Sequence, residues 1–70
     1  MVEVFKTNVQ QHELADQLVS ILRNRFTFCK INFDLEDCDK ILRVEGKQIF
    51  VETIIEILNT HGLQCEVLTE

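Results

Sequence analysis

Two imidazoles, one thiol and a run of carboxylates are the residues here whose types could do chemistry. They are His12, His61 and Cys38, with Glu36, Asp37 and Asp39 beside the thiol. An imidazole–thiolate–carboxylate set is a donor mixture suited to Zn(II) or Ni(II). These side chains stand far apart in the chain, so only the fold can bring them together. Glu36, Asp37 and Asp39 lack the glycine and terminal glutamate of a twelve-residue calcium loop and read as a solvated acidic turn. Cys29 and Cys65 occupy inward strand positions, where free cysteine packs as a small hydrophobe. Cys38 is the expected exposed thiol. No Ser-His-Asp or Cys-His nucleophile arrangement is evident, so an enzyme is not expected.

The elements that must position these residues follow from hydrophobic period. Val2 to Thr7 is β-branched and aromatic with alternation, a strand whose buried face the pattern leaves open. Asn8 followed by Gln11 suggests a helix cap and capping box. Leu14, Ala15, Leu18, Val19, Ile21, Leu22 and Phe26 then recur at helical spacing. Cys29, Ile31, Phe33 and Leu35 alternate with Lys30, Asn32, Asp34 and Glu36, the cleanest strand in the chain. Glu36 to Asp39 is a polar turn, and Ile41 to Glu45 returns as a strand with Leu42 and Val44 inward. Ile49 to Asn59 is expected to be helical, with Phe50, Ile54, Ile57 and Leu58 on one face. His61-Gly62 closes that helix, and Leu63, Cys65 and Val67 alternate as a last strand. Phe26, Phe28, Phe33 and Phe50 are expected in the core.

Strand, helix, strand, strand, helix, strand packs as two layers. A right-handed crossover between the first two strands leaves room for the third. The expectation is a single α+β domain over residues 1–70, a ferredoxin-like two-layer sandwich of βαββαβ order with an antiparallel sheet ordered 4-1-3-2. That topology gathers three connections at one end: the loop from Asn8 to His12, the hairpin from Glu36 to Lys40 and the turn from Thr60 to Gly62. His12, Cys38 and His61 would then be neighbours.

Bulk properties narrow the function. Seventy residues at 46% apolar content make one small, core-bearing domain. The net charge is −5, with seven dispersed cations. Such a field repels a phosphate backbone, so nucleic acid is not an expected partner. Exposed aromatics on the central strands, as an RNA-binding sheet needs, are not evident either. No apolar run is long enough to span a membrane, and no export signal is visible. The cytosol is the expected location, with the three cysteines as free thiols.

Ile31-Asn32-Phe33-Asp34-Leu35, Lys40-Ile41-Leu42-Arg43-Val44-Glu45-Gly46, Ile54-Ile55-Glu56-Ile57-Leu58 and His61-Gly62-Leu63 together resemble the heavy-metal-associated domain family of copper chaperones and metal-pump modules. The resemblance covers nearly the whole chain and implies the family's fold. The family grips a soft ion through a Met-x-Cys-x-x-Cys loop. Here Val9 stands at the methionine position and Gln11 and Leu14 at the two cysteine positions; Leu63 replaces a frequent aromatic. Neither an amide nor an isobutyl group substitutes for a thiolate toward Cu(I).

The expected function is therefore a small non-enzymatic interaction domain that has lost the cysteine clasp. It would bind a protein partner or a second copy, through a sheet edge or an acidic end comprising Gln11, His12, Glu36, Asp37 and Asp39. The alternative is a metal-binding protein with relocated ligands at His12, His61 and Cys38. A third class is a regulatory domain that takes a small ligand between subunits. No resident cofactor is expected; a divalent transition metal is the one class the side chains could take.

Overall fold

A computed structural model of the protein describes residues 1–68. Six elements follow one another: β1 (Val2–Thr7), α1 (His12–Arg25), β2 (Lys30–Asp34), β3 (Ile41–Glu45), α2 (Val51–Thr60) and β4 (Cys65–Val67). The four strands form one antiparallel sheet ordered β2-β3-β1-β4, which from the other edge reads 4-1-3-2. β3 is central: Leu42 lies opposite Phe5 of β1 and Phe33 of β2, and Val44 lies opposite Glu3 and Ile31. The helices cover the face that carries these apolar residues. The result is a two-layer α+β arrangement compatible with a ferredoxin-like sandwich.

Pairing register settles the face of β1 that its own alternation leaves open. Phe5 and Thr7 are buried, while Val2 is exposed on the other side. Phe5, Leu42, Val44 and Ile31 from the sheet meet Leu22 and Phe26 from α1 and Ile54 and Leu58 from α2. A second, smaller cluster joins Val9, Ala15, Leu18 and Leu35 under the loop end. Ile41 is buried despite sharing the parity of the wet-face residues Arg43 and Glu45.

Both glycines have a physical reason. Gly62 adopts φ +78°, the left-handed conformation that ends α2. Its N–H donates to the Asn59 carbonyl and that of Leu63 to Leu58, which satisfies two orphan acceptors of the helix end. At Gly46 the constraint is steric: a Cβ there would stand 2.9 Å from the buried Cys29 Sγ.

Three expectations need correction. Asn8 does not cap α1. Gln11 is the N-cap residue, its carbonyl accepting from Ala15 N–H, with no side-chain capping bond and hence no capping box. The Asn8 Oδ1 instead accepts the Gln64 N–H at 2.9 Å, clipping the loop after β1 to the approach to β4. α2 starts at Val51, so Phe50 precedes the helix and falls off its apolar face. Phe28 and Phe50 are not core residues: they are 57% and 42% exposed.

Candidate functional site

The loop end of the sandwich is organised by one buried hydroxyl. Thr7 Oγ1 donates to the Lys40 carbonyl at 2.5 Å and accepts from the Val9 N–H at 3.3 Å. Thr7 N–H donates to the Asp39 carbonyl at 3.1 Å. β1, its following loop and the β2–β3 hairpin are thus tied together at a single residue. Lys40 turns the chain at φ 48°, an uncommon conformation for a residue with a side chain. Its ammonium donates to the Leu35 carbonyl at 2.9 Å, which holds the hairpin closed over itself.

Within that hairpin the carboxylates are largely engaged in local turns. Asp37 Oδ1 accepts from Asp39 N–H at 2.8 Å, and Asp34 Oδ1 accepts from Glu36 N–H at 3.2 Å. Lys6 Nζ lies 3.8 Å from Asp39 Oδ1. One donor each from Asp37, Cys38 and Asp39 falls within a 4.8 Å span, the one such group among the described residues. His12 and His61 are not part of it. His12 opens α1 and is exposed. His61 ends α2, with Nδ1 2.8 Å from the Ile57 carbonyl oxygen. In its Nδ1–H tautomer that ring caps the helix end. The structure therefore joins Cys38 to two carboxylates and leaves the imidazoles outside the group.

The loop residues Val9, Gln11 and Leu14 do not fit a soft ion. Val9 is fully buried in the second core cluster and Leu14 packs against the same cluster. Gln11 is exposed. Hydrocarbon fills the space beneath the loop, and no thiolate stands at any of the three positions.

The opposite end carries a feature absent from the sequence reading. Phe26, buried, stacks on Phe50 with ring centroids 5.8 Å apart and planes 19° from parallel. Phe28 meets both edge-on, at 6.4 Å and 6.5 Å. Offset-stacked and edge-to-face pairs are the favoured aromatic geometries, so the three rings hold one another in place. Two open depressions adjoin Phe28. One, of about 520 Å³, is lined by Phe28, Lys47 and Gln48. The other is lined by Met1, Phe28, Lys30, Glu45, Gly46 and Lys47. An exposed aromatic surface thus stands beside two lysines in a chain whose net charge is −5.

A signal for this cluster does exist in the chain. Phe28 has the parity of Lys30, Asn32 and Asp34, the wet face of β2, and that parity predicts exposure better than residue type does. A further groove of about 300 Å³ runs between the helices, lined by Ile21, Arg25, Thr53, Ile57 and His61 among others. That volume is at the lower limit for a small-molecule pocket.

The three thiols differ in surroundings. Cys38 is exposed and Cys29 is buried, its Sγ–H donating to the Gln48 carbonyl at 3.6 Å. Burial, with a smaller contribution from the Glu66 charge, pushes the half-buried Cys65 thiol from an ordinary 9.0 up to about 11. Between those values the unfolded chain loses this proton and the native chain keeps it. The native state then binds more protons, so stability contributed by this group falls as pH rises from about 9 to 11. The melting temperature of the wild-type protein is expected to drop more steeply across that window than that of Cys65→Ala. Thermal melts of both proteins at matched pH check this, and parallel profiles would contradict it.

Among the described residues, no helix is long and apolar enough to cross a membrane. No protein-family model, curated protein or solved structure matches this chain.

Proposed function

We propose that the protein is a non-enzymatic interaction domain, built on the heavy-metal-associated fold without its clasp, that docks a protein partner on its aromatic end. The observation that carries this reading is the exposed Phe28–Phe50 pair, seated on buried Phe26 and flanked by Lys30 and Lys47. Rigid aromatics beside cations are the composition of an interface centre, because they contribute large apolar area at little entropic cost. The lysines select the occupant: a segment carrying apolar side chains among carboxylates. The loop end supports the non-enzymatic part of the reading. Its one exposed thiol stands beside carboxylates rather than an imidazole; of these Asp37 accepts the Asp39 N–H and Asp39 faces Lys6.

The test is a titration of labelled protein, followed by NMR, with two designed peptides of equal apolar content, one acidic and one basic. The acidic peptide is expected to shift the resonances of Phe28, Lys47 and Gln48, with affinity reduced roughly ten-fold in Phe28→Ser. Phe28 is mostly solvent-exposed, so that variant should keep its fold. Equal binding of both peptides, or shifts confined to the hairpin around Asp37, would rule out this docking surface.

A further inference from the structure

β2 is an outer strand. All five of its residues pair with β3 on one side, and among the described residues no strand lies along the other. Its outward backbone donors and acceptors are a template for another strand. The five residues read Lys30-Ile31-Asn32-Phe33-Asp34, with a cation at one end, an anion at the other and an amide at the midpoint. Among the described residues neither Lys30 nor Asp34 takes part in an ion pair within the chain.

We propose that β2 pairs antiparallel with β2 of a second copy of this chain, with Asn32 on the two-fold axis. In that register Lys30 of each copy lies opposite Asp34 of the other, so two complementary charge pairs form on the wet face. Ile31 of each copy lies opposite Phe33 of the other on the core face. Phe33 is only half-buried in the single chain, where it packs partly against both apolar clusters. The second copy would complete its cover.

Alternative registers are poorer for stated reasons. A one-residue slip sets polar positions of one copy against apolar positions of the other. A two-residue slip one way places Asn32 against Asp34, and the other way Lys30 against Asn32; each leaves part of β2 without its own counterpart. The Asn32-centred register is the one that uses the whole strand. The other sheet edge is unsuited to self-pairing. β4 is three residues long, and centring it on itself sets Glu66 against Glu66, a like-charge pair.

The two-fold contact closes, joining two four-stranded sheets into one of eight strands without forming an open fibre. A five-residue pairing is small beside the roughly 1,200 Å² of a stable interface, so the dimer depends on concentration and weakens with added salt. The inference rests on the reading of the protein as an interaction domain; it shares Lys30 with the docking surface but uses neither Phe28 nor Lys47, and D34K perturbs the pairing without touching that surface.

Sedimentation equilibrium from about 10 μM to about 1 mM, a range set by weak-complex affinities, tests it. The weight-average mass is expected to rise from 8.2 kDa toward twice that value. K30E and D34K should each weaken the dimer roughly ten-fold or more, because attractive pairs become repulsive. An equimolar mixture of K30E and D34K should recover it, since both pairs become complementary again. The K30E/D34K double variant should recover it as well. Circular dichroism on each variant separates loss of pairing from loss of fold. A wild-type protein that stays monomeric throughout, a dimer insensitive to K30E, or a mixture without recovery would each overturn the proposal. A monomer that still binds the acidic peptide through Phe28 would leave the docking surface standing.

Discussion

Leu42→Ala is expected to remove a large share of the protein's stability. Leu42 has no solvent exposure and sits in the middle of the central strand, opposite Phe5 on one side and Phe33 on the other. Truncating a buried leucine costs about 2–5 kcal/mol, through lost transfer free energy and the cavity left behind. A chain of 70 residues has a total stability of roughly 4–10 kcal/mol, so the loss is a large share of the whole. Collapse around the hole is restricted because Leu42 touches strands on both sides as well as the helix layer. Urea titrations of Leu42→Ala and of Arg43→Ala, its neighbour on the wet face, make the comparison. Arg43→Ala should lie within about 0.5 kcal/mol of wild type. A Leu42→Ala loss below about 1 kcal/mol would mean that the sheet is not packed as described.

Thr7→Val is expected to cost about 2–3 kcal/mol, although it removes only a hydroxyl and leaves the shape of the side chain. The hydroxyl serves two groups at once, the Lys40 carbonyl and the Val9 N–H. Valine leaves both without that partner, and each buried orphan costs roughly 1–3 kcal/mol, with partial rescue by water at the hairpin side. Thr7→Ser should recover most of the loss, because it restores the donor and acceptor at the price of one methyl group. Chemical denaturation reads the stability, and NMR shifts at Val9 and Lys40 read the loop end directly. If Thr7→Val matched wild type, the hydroxyl would not be what joins the first loop to the hairpin.

These two residues also bear on function. At the end of β1 and in the loop after it, Thr7 and Val9 are buried, and both side chains are committed to structure rather than to a ligand. The acidic hairpin is likewise held by Asp37 and Lys40 in its own turn. What remains uncommitted is at the far end and at the outer edge: the Phe28–Phe50 surface, and the Lys30 to Asp34 strand. One suits a partner carrying carboxylates, the other a second copy.

Periodic features were legible in the chain because they depend on neighbours three or four residues away, or two. Ile31, Leu42 and Val44 read correctly as inward strand residues, Leu35 as buried although it lies in the turn after β2, and Leu18, Leu22, Ile54 and Leu58 as inward helix residues. Gly62 read correctly as the end of α2 because left-handed φ is a local requirement. The cap at Asn8 did not, because its side chain found a partner 56 residues away, at Gln64, instead of the adjacent helix. The joint site of His12, His61 and Cys38 was an inference from topology alone. Shared placement at one end of a sandwich does not bring side chains within ligand distance, and His61 took the helix carbonyl within its reach.

By itself, then, the sequence determined the number and kind of elements, the inward residues of β2, of α1 and of most of β3 and α2, and the absence of thiolates from the first loop. These follow from residue type and spacing, which act over a turn of helix or a pleat of strand. Tertiary structure alone decided the buried face of β1, the burial of Ile41 and the exposure of Phe28 and Phe50. Each of those depends on contacts between segments distant in the chain.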